Sequence, residues 1–301
     1  MTRGMRMRLL VFVLVAALAL PGRADAWGFE AHHLIMERAI ALLPPELRPL
    51  FEKHRVTVVE RAIDPDTWRA AGFADEEPNH FLDLDWEGYG KEPFRELPRD
   101  YTAAMAKFGR ARILDNGVVP WRTEEMFGNL QRAFQDYGRR GAFGQNDIIH
   151  FSAWLGHYVS DAIQPFHGVI NYDGQLTRQN GVHARFEAAL VERYKDQLVL
   201  TPTALPPIRA PRDFIFERLI EDTRLAPVLL KADLAAIGTR DVYDDEYFDA
   251  FFRATRPVLE RRLGDSIAAV AAAITGAWEA AGRPPVPVSP APQPPRRRAR
   301  P

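Results

Sequence analysis

The sequence has 301 residues, with 39 Lys and Arg against 40 Asp and Glu, and it has no cysteine. Disulfides are therefore excluded, so stability must come from burial of a core and, we expect, from bound metal. Between Trp27 and Gly282 the chain has 30 basic and 39 acidic residues, a formal net charge of −9, which argues against metal-free binding to nucleic-acid phosphates.

The N-terminal segment has the pattern of a secretory signal peptide. Three arginines among the first eight residues precede an apolar run of 12 residues, Leu9–Leu20, and the small-x-small sequence Ala24–Ala26 follows. The apolar run is shorter than the roughly 20 residues that span a bilayer. We therefore expect residues 1–26 to be removed, and a secreted or periplasmic protein without a transmembrane segment to begin at Trp27.

Apolar residues recur at helical spacing along most of the remaining chain, and no segment shows sustained two-residue alternation. The pattern predicts an all-α, single multi-helix domain over residues 27–282. Residues 56–63 are apolar and β-branched enough to be ambiguous, and we predict a helix there because the neighbouring segments are helical. The clearest predicted helices are Ala31–Leu43, Asp100–Leu114, Thr123–Tyr137, Gly144–Ala162 and Val258–Ala281.

Proline marks several boundaries of these elements. Pro44 and Pro45 predict the end of the first helix, and the sequence around Pro65 predicts a turn or a helix start. Glu77–Phe81 is expected to be extended, because the residue before a proline avoids the helical region. Residues 283–301 are rich in proline and arginine and are expected to form a disordered tail, either a simple solvated extension or a basic anchor to an acidic envelope.

Two pairs of residues have the spacing of metal ligands on a helix. His157 and Asp161 are four residues apart, as are His183 and Glu187, so each pair lies on one helical face. The Gln-Pro sequence at 164–165 should end the first helix and turn His167 back toward the second pair. Imidazole and carboxylate ligands together suit zinc.

Five motifs together resemble the zinc-dependent phospholipase C and single-strand-specific nuclease superfamily. The central ones are HYVSDAIQPFH at 157–167 and GVHARFE at 181–187, and three shorter ones precede them: WGFEAHH at 27–33, AIDPDTWR at 62–69 and NHFLDLD at 79–85. Ser160 stands where this superfamily usually has glycine, a small change that should leave the metals undisturbed. The order and spacing of the motifs, over more than half of the mature chain, carry the resemblance.

The resemblance implies three zinc ions in one cleft of a helical domain of the phospholipase C/nuclease type. One zinc would take His80, His157 and Asp161, with Asp66 as a further ligand or as the base. A second would take three ligands: His167, His183 and Glu187. The third would take the α-amino nitrogen and carbonyl of Trp27 together with His32, with Asp161 bridging to the first zinc.

The implied chemistry is hydrolysis of a phosphodiester by a hydroxide held between zinc ions. Asp66 would orient or deprotonate the nucleophile, and Arg69 would contact the phosphate. Several alternatives stay open from the sequence. His33 competes with His32 and Asp64 with Asp66, while Asp66 could instead cap a helix, and His150 could support the site as an outer partner of a ligand.

The substrate is less well defined than the metal site. Glu187 as the last ligand and the absence of cysteine favour a phospholipase C-type enzyme with a phospholipid substrate and peripheral membrane contact. Arg69 and the opening motif at Trp27 favour the alternative, a single-strand-specific nuclease and 3′-nucleotidase acting on single-stranded nucleic acid. A non-catalytic zinc-binding envelope protein is the third hypothesis. We expect a monomer in which residues 190–282, which carry no assignable motif, form helices that close the core.

Overall fold

The computed structural model describes residues 27–73, 75–140 and 142–289, and within these ranges the chain forms helices and no strands. The predicted signal peptide and the end of the predicted tail lie outside the described residues. We number the α-helices α1 to α12 in chain order, as follows: Phe29–Leu42, Arg48–Lys53, Arg55–Glu60, Asp64–Ala70, Tyr101–Phe108, Arg110–Asp115, Val119–Arg140, Ala142–Asp161, Val182–Ala184, Leu190–Tyr194, Pro211–Ile237 and Asp245–Ala280.

The long helices form the scaffold of the all-α domain. Helix α8 packs along α7, and α12 packs against α1, α7 and α8. Helix α11 lies against both α12 and the 3₁₀ turn Pro165–Gly168. Their facing sides supply one continuous core, in which Trp27, Tyr158 and Phe186 are fully buried. Residues that follow α8 are therefore held between the centre of the domain and its C-terminal helices.

The helix predicted at residues 31–43 is confirmed as α1, and the ambiguous segment 56–63 is helical, as α3 followed by the 3₁₀ turn Arg61–Ile63. Helix α4 begins at Asp64 with proline in its first turn, where a missing N–H costs no hydrogen bond. The segment predicted to be extended differs. Glu77–His80 is a 3₁₀ turn that also accommodates its proline near the start, and the extended backbone begins at Phe81.

Two predicted helices have different bounds in the structure. The segment predicted as one helix from Asp100 to Leu114 is two helices, because Gly109 has a φ of 81° and breaks the ladder. The last helix begins at Asp245, well before the predicted Val258, and continues through Pro257. Its N-terminus is capped by Asp244, whose side chain accepts a hydrogen bond from the backbone N–H of Tyr247 at 2.8 Å.

The packed part of the domain extends beyond Gly282, where the tail was predicted to begin. Val286 is buried in the core. The carbonyl of Val288 accepts hydrogen bonds from Lys53 Nζ at 2.9 Å and Gln145 Nε2 at 2.8 Å. The start of this proline-rich stretch therefore packs, contrary to the prediction, because the side chain of Val286 and the carbonyl of Val288 find partners on neighbouring helices.

No helix within the described ranges is both long enough and apolar enough to cross a membrane.

Candidate metal centre

Eight side chains predicted as metal ligands converge in the interior of the domain, and none is more than 6% exposed. They come from separate elements, so the arrangement exists only in the folded chain. Helices α1, α4 and α8 supply four of them, and the 3₁₀ turns, α9 and the turn that follows α9 supply the others. The eight are His32, Asp66, His80, His157, Asp161, His167, His183 and Glu187.

The first group of ligand atoms surrounds one carboxylate oxygen of Asp161. Its Oδ2 lies 2.9 Å from His80 Nδ1 and 3.1 Å from His157 Nε2. The two imidazole nitrogens are themselves 3.1 Å apart. Three donor atoms, two from helix α8 and one from the turn Glu77–His80, thus point at a common centre, which is the geometry of ligands around one cation.

The second group lies where the chain turns back after α8. His183 Nε2 lies 2.8 Å from Glu187 Oε2 and 3.1 Å from His167 Nε2. Arg185–Ala189 forms a single π-helical turn, an irregularity that often occurs at functional sites. The turn at Pro165–Gly168 brings His167 to this pair, as the Gln-Pro sequence predicted.

The third group joins His32 to residues of the first group. His32 Nε2 lies 3.3 Å from the second oxygen of Asp161, Oδ1, and 3.8 Å from Asp66 Oδ2. Ligand atoms of His32, Asp66 and His157 all lie within 4.8 Å of one another. Asp161 therefore faces the first group with one oxygen and the third with the other, the bridging position that the resemblance implies.

Trp27, the other residue implied for the third ion, lies close to this group. Its side chain is fully buried, and its indole Nε1 donates a hydrogen bond to the backbone carbonyl of Ser160 at 2.7 Å. That carbonyl belongs to the residue directly before Asp161. The start of the predicted mature chain is thus fixed beside the cluster.

Hydrogen bonds on the outer side of two imidazoles fix which nitrogen faces the cluster. His157 Nδ1 donates to the carbonyl of Ala62 at 2.8 Å, and His167 Nδ1 donates to the carbonyl of His80 at 2.7 Å. A carbonyl can only accept, so each Nδ1 carries the proton. The Nε2 lone pairs then point into the cluster, as metal-bound histidines require.

Burial favours the neutral form of three of these histidines. It lowers the pKa of His80 and of His167 to about 3 and the pKa of His183 to about 4, because a charged imidazole loses its hydration in the interior. Burial and then the charge of His157 lower the pKa of His32. Burial alone would raise the pKa of Asp161, but the neighbouring histidines outweigh it and hold this pKa well below its usual value.

The structure distinguishes between the alternatives left open by the sequence. His32 is buried in the cluster, whereas His33 is half-buried outside it. Asp64 accepts a hydrogen bond from Trp154 Nε1 at 3.0 Å and joins none of the ligand groups. His150 stacks on Trp154 instead of contacting a ligand of the cluster.

Asp66 is not a helix cap. The N-cap position of α4 is Ile63, and Asp66 lies inside the first turn with a fully buried side chain. Its Oδ1 lies 3.3 Å from Arg69 Nη2 and 3.7 Å from His80 Nδ1. Asp66 therefore connects the cluster to the arginine predicted to contact a phosphate.

A cavity of about 180 Å³ opens beside the second group of ligands. Arg69, His167 and His183 belong to its lining. The rest of the lining combines aromatic side chains with carboxylates, namely Phe81, Tyr172, Phe166, Glu77, Asp83 and Asp115. Burial and the charge of Asp85 raise the pKa of Asp83 to about 7. An anionic group bound at Arg69 would thus have its substituent against an acidic and aromatic surface.

A larger groove of about 890 Å³ lies on the other side of the 68–79 segment. Glu76 belongs to its lining, and its Oε1 approaches His80 Nε2 to 3.7 Å. Glu76 also accepts hydrogen bonding from Tyr158 Oη. None of the eight candidate ligands lines this groove, whereas His167 and His183 line the smaller cavity. The smaller cavity is therefore the candidate substrate site.

Two residues of the central motif make supporting contacts that the sequence did not predict. Gln164 is fully buried and donates from Nε2 to Glu187 Oε2 at 2.6 Å, while its Oε1 accepts from the backbone N–H of Phe166. Ser160 Oγ lies 3.1 Å from His32 Nδ1. A polar glutamine directly before the proline indicated that Gln164 makes a hydrogen bond. Its partner could not be identified from the sequence, because Glu187 lies 23 residues away.

Comparisons with known proteins add little to this geometry. No family model matches the chain. Over 157 residues it is 29% identical to a probable serine protease from Bradyrhizobium tropiciagri, a match that covers 41% of this chain and 20% of that protein. The chain thus spans about a fifth of the curated relative that it matches, and a partial similarity at this identity assigns neither a family nor an activity.

Proposed function

We propose that this protein is a zinc-dependent phosphodiester hydrolase of the phospholipase C type, with three ions in one cleft. The observation that carries the proposal is the convergence of eight buried imidazole and carboxylate side chains next to a cavity that holds Arg69. The partial similarity to a probable protease is compatible with hydrolysis in general. Phospholipids are the proposed substrates.

The ligand set fits zinc on chemical grounds. Asp66, Asp161 and Glu187 are carboxylates that are fully buried. Burial lowers the pKa of His80, His167 and His183, so these imidazoles add no positive charge at pH 7. Burying uncompensated negative charge is costly, whereas divalent cations at these positions would neutralise it. Bound zinc would lower the pKa of a coordinated water and supply positive charge for the phosphate.

The residues of the chain would divide the remaining work. Arg69 is held by Asp66 at 3.3 Å and lines the cavity, so its guanidinium can bind a phosphate oxygen as charge develops there. Asp66 is placed to accept a proton from the attacking water, since it lies beside both His80 and Arg69. The buried surroundings exclude bulk water from these groups.

The acidic wall of the cavity favours a small phosphodiester over a polynucleotide. Glu77, Asp83 and Asp115 would repel successive phosphates of a nucleic-acid backbone. The net charge of −9 between Trp27 and Gly282 acts in the same direction. A single-strand-specific nuclease remains the second candidate, because Arg69 and the aromatic wall of Phe81 and Tyr172 could hold a phosphate and a base.

A serine hydrolase would need an accessible nucleophile beside a histidine and a carboxylate. Ser160, His32 and Asp161 are neighbours, but Ser160 is 1% exposed. Its hydroxyl is also bonded to helix carbonyls, those of Gly156 at 2.9 Å and His157 at 2.8 Å. A substrate carbonyl cannot approach it, so the three residues do not favour serine-dependent chemistry.

We expect the purified mature protein with added zinc to release a phosphoester from phosphatidylcholine or another glycerophospholipid, and to lose this activity in chelator. A single panel should contain phospholipids, single-stranded DNA, a 3′-nucleotide and a peptide substrate. Rapid cleavage of DNA without phospholipid turnover would transfer the assignment to the nuclease. Zinc binding without turnover of any substrate would support the non-catalytic envelope protein.

Replacing Arg69 with Ala should lower kcat/KM by about a hundredfold while leaving the zinc content unchanged, because charge-assisted contacts to a phosphate oxygen are lost. Arg69→Lys should have a smaller defect, since it keeps the charge but loses the bidentate fork. Arg61→Ala is the control, because Arg61 pairs with Asp64 away from the cavity. Equal kinetics for Arg69→Ala and Arg61→Ala would contradict this role.

A further inference from the structure

The histidines of the cluster differ in what holds their outer nitrogen. His157 and His167 donate to backbone carbonyls, which a side-chain substitution cannot remove. His32 instead places its Nδ1 3.1 Å from the hydroxyl of Ser160. The orientation of His32 therefore depends on one side-chain atom.

The hydrogen bonds of Ser160 settle the direction of this contact. Its Oγ lies 2.8 Å from the carbonyl of His157 and 2.9 Å from that of Gly156, and both carbonyls can only accept. The single hydroxyl proton is thus engaged by the helix backbone, so the oxygen lone pair accepts from His32 Nδ1–H. The lone pair of His32 Nε2 then points toward Asp161 and Asp66, which lie 3.3 and 3.8 Å away.

Ser160 also contacts the start of the predicted mature chain. Its backbone carbonyl accepts the indole N–H of Trp27 at 2.7 Å. The side chain and the backbone of Ser160 thus contact two residues that lie far away in the sequence, His32 and Trp27. Both were implied for the same ion, the third of the cluster.

We propose that Ser160 is a positioning residue for the third metal ion, which it serves by fixing the tautomer and ring orientation of His32. This inference rests on the proposed function, since it assumes that the cluster binds metal. It replaces our expectation that serine at this position is a neutral change from glycine. Outer partners of metal-bound histidines strengthen binding because the ligand no longer has to be ordered when the ion arrives.

The test is the zinc affinity of Ser160→Ala, measured by competition with a chelating dye. We expect one of three ions to bind about 10–100-fold more weakly than in the unmodified protein, with the other two unchanged. Ser152→Ala is a matched control, because Ser152 is a fully buried serine on the same helix whose hydroxyl makes no hydrogen bond to a ligand of the cluster. Cobalt substitution supplies a second readout, since a change in the orientation of His32 should change the visible absorption of the third ion and not of the other two.

A pair of variants of equal shape separates the hydroxyl from packing. Ser160→Thr keeps the hydroxyl and Ser160→Val does not, so we expect tighter binding of the third ion by the threonine variant. Equal affinities in this pair, or unchanged affinity in Ser160→Ala, would overturn the proposal. Three ions bound without any hydrolysis would instead contradict the proposed function and leave the role of Ser160 intact.

Discussion

The protein with Asp161 replaced by Asn should lose about a thousandfold or more of its hydrolytic activity, because this carboxylate serves two of the ligand groups. Its Oδ2 faces His80 and His157, and its Oδ1 faces His32. Asparagine has nearly the same shape, but its amide nitrogen cannot bind a cation and its side chain carries no negative charge. One substitution therefore weakens two ion sites at once.

Metal analysis should show this variant with fewer bound ions than the unmodified protein, which we expect to bind three. Circular dichroism at pH 7 should show the helices retained, since the fold is carried by the packing of α7, α8 and α12. Asp196→Asn is the control for the lost charge, because Asp196 is exposed and remote from the cluster. Full zinc content in Asp161→Asn would remove the bridging role assigned here.

Two pairs of candidate ligands could be predicted from the sequence because local geometry fixes their spacing, whereas the family resemblance implied the others. His157 and Asp161 share a helical face wherever that helix lies, and the Gln-Pro break at 164–165 restricts the path of the chain to His167. The apolar periodicity of the helices predicted the all-α class for the same reason. In both cases the residues that form the pattern lie within a few positions of one another in the sequence.

The features that the sequence did not predict depend on contacts between distant residues. The contact of Ser160 with His32 joins positions 128 apart, and that of Gln164 with Glu187 joins positions 23 apart. The packing of Val286 against the core likewise depends on neighbouring helices. Composition alone indicated disorder at residues 283–289. The burial of Val286 could not be inferred from that composition, because it depends on the residues that Val286 packs against.

Local signals were also misleading where one residue can act in two ways. The last helix was predicted to start at Val258, directly after Pro257. The structure instead continues this helix through Pro257 from Asp245. Proline within a helix loses one hydrogen bond, and the buried side chains on both sides of Pro257 offset that cost. Gly109 was tolerated in the predicted helix, yet its positive φ ends one helix and starts another.

The second large effect that we expect concerns Trp27, whose α-amine would be free after the proposed cleavage of residues 1–26. A protein carrying extra residues before Trp27 should bind two zinc ions instead of three and should have at least about a hundredfold lower activity, because a peptide nitrogen has no lone pair for a metal. An α-ammonium group, with a reference pKa near 8, can release its proton to solvent and bind a metal through the freed lone pair. Trp27 is fully buried next to Ser160, which places its backbone near the third group of ligands.

A cleavable N-terminal extension that ends directly before Trp27 makes this prediction reversible within one sample. Proteolytic removal should restore both the third ion and the activity, whereas the same cleavage of an extension placed after Pro301 should change neither. If the extended protein already binds three ions and is fully active, the third site does not use the amine. His32, Asp66 and Asp161 would then have to hold that ion through their side chains alone. The distances from His32 Nε2, 3.3 Å to Asp161 Oδ1 and 3.8 Å to Asp66 Oδ2, would permit this.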